Sequence, residues 1–232
     1  VSGTKGMNVI APTWFSMTDE YGAFRSFATA DYVTTAHNMG LQVWGVLDNF
    51  NYANENGISI STLNMLSSTT ARQTLVQNVT DTAVSLGLDG INVDFEQLSS
   101  DCGPHYVEFL RELSIQCRNK GLVLSVDNYV PFNFNDYYRL DIQGQVADYV
   151  IIMGYDEHWH GSKDPGSVAS IGYVSDGLDR TLQEVPANKV VNALPFYTIL
   201  WKTEGTDVTD EYITMRNEAE FMSRAGVTAE WD

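Results

Sequence analysis

Apolar runs of strand length alternate along the chain with stretches of helical periodicity. Residues 7–15, 41–48, 90–96, 122–130, 149–156 and 190–197 read as six strands. Between them, Leu75, Val79, Ala83 and Leu86 recur at helical spacing, and Gly87 closes the stripe. A second stripe of Tyr106, Phe109, Leu110, Leu113 and Cys117 is entered through Gly103-Pro104 and ends before Gly121. Strand–helix alternation over the whole length predicts one α/β domain on a parallel sheet.

One strand departs from the pattern. A parallel strand covered on both faces reads as a continuous apolar run, yet residues 89–96 are D-G-I-N-V-D-F-E. With a period of two, Ile91, Val93 and Phe95 share one face and Asn92, Asp94 and Glu96 the other. An open doubly wound sheet has no evident place for three polar side chains in a row. A closed (β/α) barrel turns one strand face toward its helices and the other toward its interior. The expectation is therefore a barrel, with Glu96 nearest the C-terminal mouth, where such folds keep their active sites.

Composition narrows the partners. The net charge of −17 on 232 residues repels phosphate backbones, so nucleic acid and anionic membranes are not expected partners. No apolar run reaches the roughly 20 residues of a membrane helix. The opening V-S-G-T-K-G-M lacks the layout of a signal peptide and reads as internal to a longer protein. Cys102 and Cys117 fall near opposite ends of one expected helix, about 20 Å apart at 1.5 Å per residue, so both are expected as free thiols.

The chemistry concentrates at strand ends. Inward side chains two residues apart are separated by roughly 6.5–7 Å along a strand. Asp94 and Glu96 can lean together, and like charges that close raise one pKa. A carboxyl kept protonated near neutrality can act as a general acid toward a departing sugar oxygen. Glu96 is the candidate acid and Asp94 its partner, with Asp89 and Asn92 in support. Trp14 and Phe15, Asp48 and Asn49, Asp127 and Asn128, Tyr155 and Asp156, and Tyr197 with Trp201 stand at other strand ends, supplying amides, carboxylates and aromatic faces suited to a sugar. A buried polar network that only fixes register is the competing reading. His158 and His160 of H-W-H could join the carboxylates around a metal, but that donor set is thin. Neither metal nor cofactor is expected.

The stretch Asp89, Gly90, Asn92, Asp94, Glu96 resembles the D-G-x-D-x-D-x-E signature of glycoside hydrolase family 18. Met153, Tyr155 and Asp156 resemble that family's M-x-Y-D. The likeness runs from P-T-W-F at Pro12 to P-F-Y at Tyr197, and M-G-Y-D-E-H followed by G-S-V-A-S resembles the branch of bacterial spore and cell-wall hydrolases. Asn92 stands where the family has its middle aspartate. The resemblance implies a (β/α)8 TIM barrel with the motif on its fourth strand. Only two candidate strands precede it here and one helix follows residue 197, so the first and last strands are not found. Residues 1–232 are thus expected to form a catalytic barrel within a longer protein.

The resemblance also implies substrate-assisted, retaining cleavage of β-1,4 linkages after N-acetylglucosamine-type sugars. Glu96 would be the acid, Asp94 would hold the acetamido nitrogen and Tyr155 its oxygen. Asp89, Asn92 and Asp156 would support them, while Trp14, Asn49, Asn128, Met153, Tyr197 and Trp201 would bind substrate. The implied partner is an N-acetylated polysaccharide, foremost peptidoglycan, at an extracellular, cell-wall or spore-associated site. A chitinase, an endo-acting enzyme on N-glycans, and a non-catalytic lectin on the same fold are the alternatives.

Overall fold

The computed structural model describes residues 6–51, 57, 59–226 and 228. Its sheet is built from β1 (Val9–Ile10), β2 (Thr13–Met17), β3 (Phe24–Ser26), β4 (Gln42–Asp48), β5 (Gly90–Asp94), β6 (Val123–Tyr129), β7 (Tyr149–Met153) and β8 (Val190–Ala193). Helices α1 (Ala30–Asn38), α2 (Thr62–Ser67), α3 (Thr69–Leu86), α4 (Gly103–Lys120), α5 (Leu140–Val146) and α6 (Ile171–Thr181) fill the crossovers. A hairpin of β9 (Tyr197–Glu204) and β10 (Asp207–Thr214), then α7 (Glu218–Ala225), complete the described chain.

The strand order is β3-β2-β4-β5-β6-β7-β8, with β1 also on β4. From β2 to β8 every pairing is parallel and follows chain order. A doubly wound sheet reverses its order at a switch point; this one does not, and it has the α/β arrangement of a TIM-type barrel. β2 and β8 are not paired with each other among the described residues, so the strands form an arc. The motif strand is the third of this parallel run, as counted from the sequence.

The two faces of β5 divide as its period requires. Ile91, Val93 and Phe95 are buried against the helices, and Phe95 stacks on Phe109 of α4 at 5.3 Å. Asn92 and Asp94 face the interior beside Ser125 and Asp127 of β6. Helix ends follow the sequence signals. Ser68 caps α3 and Gly87 ends it at φ 76°; Gly121 ends α4 at φ 69°. Arg72 reaches from α3 with two nitrogens to the Glu112 carboxylate on α4, both at 3.1 Å.

Several strand readings are corrected here: those over 90–96 and 149–156 end at Asp94 and Met153. Residues 7–15 form two short strands, broken before Thr13 where Pro12 lacks a donor. Residues 190–197 stop as a strand at Ala193, ahead of Pro195, and Tyr197 opens the hairpin instead. That hairpin was not anticipated at all. Cys102 and Cys117 are both buried free thiols, as expected. The stretches V-S-G-T-K at the start and most of G-V-T-A-E-W-D at the end, where no strand was anticipated, lie outside the described residues.

Asp89 illustrates how the strands are registered at their lower ends. Its backbone N–H donates to Val43 O at 2.9 Å, and its carboxylate accepts from Val43 N at 2.7 Å. His37 of α1 meets the same carboxylate at 2.8 Å. Asp148 repeats the device ahead of β7, accepting from Leu124 N at 2.9 Å. Seven residues of extended chain separate Asp89 from Glu96, about 20 Å, so Asp89 registers strands and does not support the acid. Asp89→Ala, which strips Val43 N of its acceptor, is expected to cost about 1–2 kcal/mol, or about 2–8 °C in Tm. Thermal denaturation checks this, and a melting point within 1 °C of the parent, a margin of about 0.3 kcal/mol, would rule the tie out.

Candidate active site

Glu96 lies two residues past the end of β5, where no ladder holds the backbone. Side chains take over. The Asn49 amide accepts from Glu96 N at 2.9 Å and donates to Glu96 O at 3.0 Å, extending the β4–β5 pairing by one step. The Tyr138 hydroxyl donates to Phe95 O and accepts from Leu98 N, both at 3.3 Å, while Tyr137 donates to Leu98 O at 2.7 Å. Gln97, just beyond the acid, is held at φ 54°, a region sparsely populated outside glycine. This backbone is fixed from both flanks.

The Glu96 carboxylate accepts from the Tyr129 hydroxyl at 2.6 Å, and that hydroxyl in turn accepts from Gln97 N at 3.2 Å. Below it, inward groups from three strands crowd together. Asp94 is pushed up to about 7, first by burial and then by Asp127, Glu96 and Asp48. Asp127 is pushed up to about 6 by burial and by Glu96, against a hydrogen bond from Asn92. That bond is 3.0 Å long, and the same Asn92 nitrogen donates to Ser125 Oγ at 2.9 Å. Asp48 is buried and held by the Ser16 hydroxyl and by Phe50 N. Burial and the nearby carboxylates, Asp127 foremost, raise the Tyr155 phenol above its ordinary range.

A cavity of about 390 Å³ opens over this stack, lined by Glu96, Gln97, Tyr129, Val130, Met153, Tyr155, Asp156, Trp159 and Tyr173. Asp156 sits at φ 58° and accepts from the Tyr197 hydroxyl. The hairpin secures the loop that bears Trp159: Asp210 accepts from Gly161 N and meets His160 Nδ1, each at 2.6 Å. Trp201 donates to Gly166 O at 2.8 Å. His158 Nδ1 lies 2.9 Å from Asp164 O, so the H-W-H histidines engage the loop and hairpin, away from the carboxylates.

Glu96, Asp94, Asn92, Met153, Tyr155 and Asp156 are thus brought to one place. Others are not. Trp14 occupies a bulge between Thr13 and Phe15 and turns outward, edge-on to Tyr32 of α1 at 5.0 Å. Asn128 faces the helix layer, exchanging hydrogen bonds of 2.7 and 2.8 Å with Gln143 of α5. Asn49 is 4% exposed and its amide is spent on Glu96 and Thr62, so it positions the acid and has nothing left for a sugar. Tyr197 reaches the cleft only through Asp156, and Trp201 stays with the loop. Asp127, read from the sequence only as a polar strand-end group, joins Tyr129 and Trp159, which were missed as site residues. The first two follow from the alternation of β6, whose inward set is Val123, Ser125, Asp127 and Tyr129.

The chain is 33% identical over 144 residues to YdhD of Bacillus subtilis (strain 168), named as a sporulation-specific glycosylase; the match covers 59% of this chain and 33% of that protein. The YdhD crystal structure superposes with a TM-score of 0.84 at 25% identity, covering 98% of this chain and 77% of that one. The cortical fragment-lytic enzyme of Bacillus anthracis is 29% identical over 148 residues, 60% of this chain and 33% of that enzyme. The crystal structure of a chitinase from Chromobacterium violaceum ATCC 12472 has a TM-score of 0.80 and 27% identity, covering 97% of this chain and 71% of that one. The chain therefore spans about a third of the length of the two curated relatives named. Fold, cleft and relatives together define a barrel of the glycoside-hydrolase class. The chain belongs to the glycosyl hydrolases of family 18, whose model matches residues 53–232.

The raised carboxyls carry a pH signature. Between pH 4 and about 7 the folded chain holds protons on Asp94 and Asp127 that the unfolded chain has released. Their contribution to stability is complete below pH 4 and is lost as pH rises through 6 and 7. Asp94→Asn is neutral at every pH, so its Tm should gain on the parent by several degrees between pH 4 and pH 8 (each kcal/mol being about 2–4 °C at this size). Melting curves that stay parallel across that range would overturn the assignment.

Proposed function

We propose that this chain cleaves β-1,4 linkages that follow an N-acetylglucosamine-type sugar, with retention, and that its substrate is bacterial peptidoglycan. The observation that carries the reading is the placement of Glu96, bonded to Tyr129 at the cavity wall directly above a raised, half-buried Asp94. Among the described residues lining the cavity, the only other carboxylate is Asp156, and Tyr197 holds it. A two-carboxylate retaining mechanism needs a free nucleophile across the bond. Here the substrate supplies it.

In this mechanism the Glu96 carboxyl gives its proton to the glycosidic oxygen as the C1–O bond breaks. The carbonyl oxygen of the 2-acetamido group attacks C1 from the opposite face and closes an oxazolinium ion. Asp94, as the anion, accepts the acetamido N–H and offsets the developing positive charge. Tyr155, held protonated by burial and then by its acidic surroundings, donates to the acetamido oxygen. Glu96, now a carboxylate, takes a proton from water as that water attacks C1 and reopens the ring. The Tyr129 hydroxyl remains with Glu96 throughout and fixes the carboxylate's orientation. The spore-cortex relatives support peptidoglycan as the substrate and a wall or spore location. The chitinase likeness at 27% identity supports chitin-like chains as the second reading.

Mass spectrometry of products from purified peptidoglycan and from chitin oligomers separates these. New reducing ends on N-acetylglucosamine from peptidoglycan, lost on Glu96→Gln by a factor of about 10²–10⁴, are the expected outcome. Cleavage of chitin oligomers alone would move the assignment to a chitinase. Binding without cleavage of either would make the protein a lectin and remove Glu96 as the acid.

A further inference from the structure

Asp127 belongs to no part of the mechanism above, yet it is one of two inward carboxyls that flank Asp94, with Asp48 in register on the other side and Asp127 the stronger perturber. β5 and β6 are in register through Asn92↔Ser125 and Val93↔Val126, so the next step sets Asp94 beside Asp127. Both side chains point inward, and neighbouring strands lie about 4.8 Å apart. Asn92 Nδ2 donates to Asp127 Oδ1, which fixes that carboxyl and leaves its second oxygen free. Asp94 Oδ1 is fully buried with no hydrogen-bond partner among the described residues. A buried carboxyl oxygen without a donor, next to another carboxyl with a free oxygen, calls for a proton between them.

We propose that Asp127 is the proton partner of Asp94. The two carboxyls share one proton in the free protein, and Asp127 keeps it when Asp94 ionises to receive the substrate's acetamido N–H. The proton passes from Asp94 to the free Asp127 oxygen and the negative charge passes the other way, so the net charge of the site is unchanged. Asp127 is therefore a positioning residue that acts through Asp94. The last clause of the proposal rests on the substrate-assisted reading; the sharing itself does not.

The surroundings leave few other destinations for the proton. Asp48 on β4 accepts two hydrogen bonds, from Ser16 and Phe50 N, which favour its anion, and Glu96, past the end of β5, is held by Tyr129. Tyr129 on β6 and Tyr155, just past the end of β7, are both raised above their ordinary range and remain protonated. Each charged neighbour that perturbs Asp94, namely Asp127, Glu96 and Asp48, pushes its pKa upward. Two acids that close titrate as a pair.

The test is carboxyl-carbon NMR titration of the folded protein, which needs no turnover. In the parent, the Asp94 and Asp127 signals should each show both inflections of one coupled pair. In Asp127→Asn, the Asp94 midpoint should fall by about one unit or more, the size of coupling that defines such a pair. Exchanging the two groups in Asn92→Asp/Asp127→Asn should raise it again and serves if the single variant does not fold. Adding di-N-acetylchitobiose should lower the Asp94 midpoint and raise that of Asp127. Independent single inflections, with an Asp94 midpoint unmoved in the variants, would overturn the pairing. Coupled titration with midpoints unmoved by the sugar would overturn the handover alone and leave the pairing in place. Coupling without any cleavage of N-acetylated glycans would fault the proposed reaction, so the two failures are distinguishable.

Discussion

Glu96 sits where a β-sheet can no longer hold it. β5 ends at Asp94, and Glu96 must project beyond that end to reach a substrate. Backbone released from a ladder is free to move, and an acid displaced by an ångström loses much of its effect. The chain answers with side chains that imitate the missing rungs. Asn49 offers a donor and an acceptor in the spacing of a peptide group, and Tyr137, Tyr138 and Tyr129 bond the backbone on the other flank. The positive φ at Gln97 persists because these contacts over-determine it. The cavity shape, the Tyr129–Glu96 bond and the position of Asp94 beneath all depend on that clamp.

A second constraint is electrostatic. Asp48, Asp94, Glu96 and Asp127 are crowded into a partly buried space, and four charges cannot be kept there cheaply. The fold distributes the load by giving each a different neighbour. Asp48 has a hydroxyl and a backbone N–H, Glu96 has Tyr129, and Asp127 has Asn92. Asp94 has a fully buried oxygen with no donor among the described residues, and it is pushed up to about 7. Asn92 matters in this scheme because it donates. An amide at that place relieves the interior of one further carboxylate.

The faces of β5 were legible because a strand's period of two is rigid. Once Ile91, Val93 and Phe95 are assigned to the helix layer, Asn92, Asp94 and Glu96 have only the interior. The same counting along β6 puts Asp127 and Tyr129 inside and Asn128 outside, so the error over Asn128 came from treating a strand end as a cluster. Trp14 was not legible, since a one-residue bulge reverses parity without a sequence mark. Asn49 is a different case: its type was right for a sugar, and only the geometry reveals that its hydrogen-bonding groups are already engaged. The hairpin had a signal in alternating residues on either side of E-G-T-D, but it follows Pro195 and Phe196 closely and was absorbed into the preceding strand.

The strictly sequential order of the parallel strands bears on how the molecule is made. Each parallel strand from β4 to β8 pairs with the parallel strand synthesised before it, so no rung waits for a distant partner. A nascent chain can add βα units one at a time as it leaves the ribosome, at about 5–20 residues per second. The polar stack is enclosed once β7 docks, while the hairpin is still to be translated. The wall bearing Trp159 is therefore set after the proton-bearing groups are in place. Biogenesis runs from chemistry to access, and the cleft acquires its final outline last.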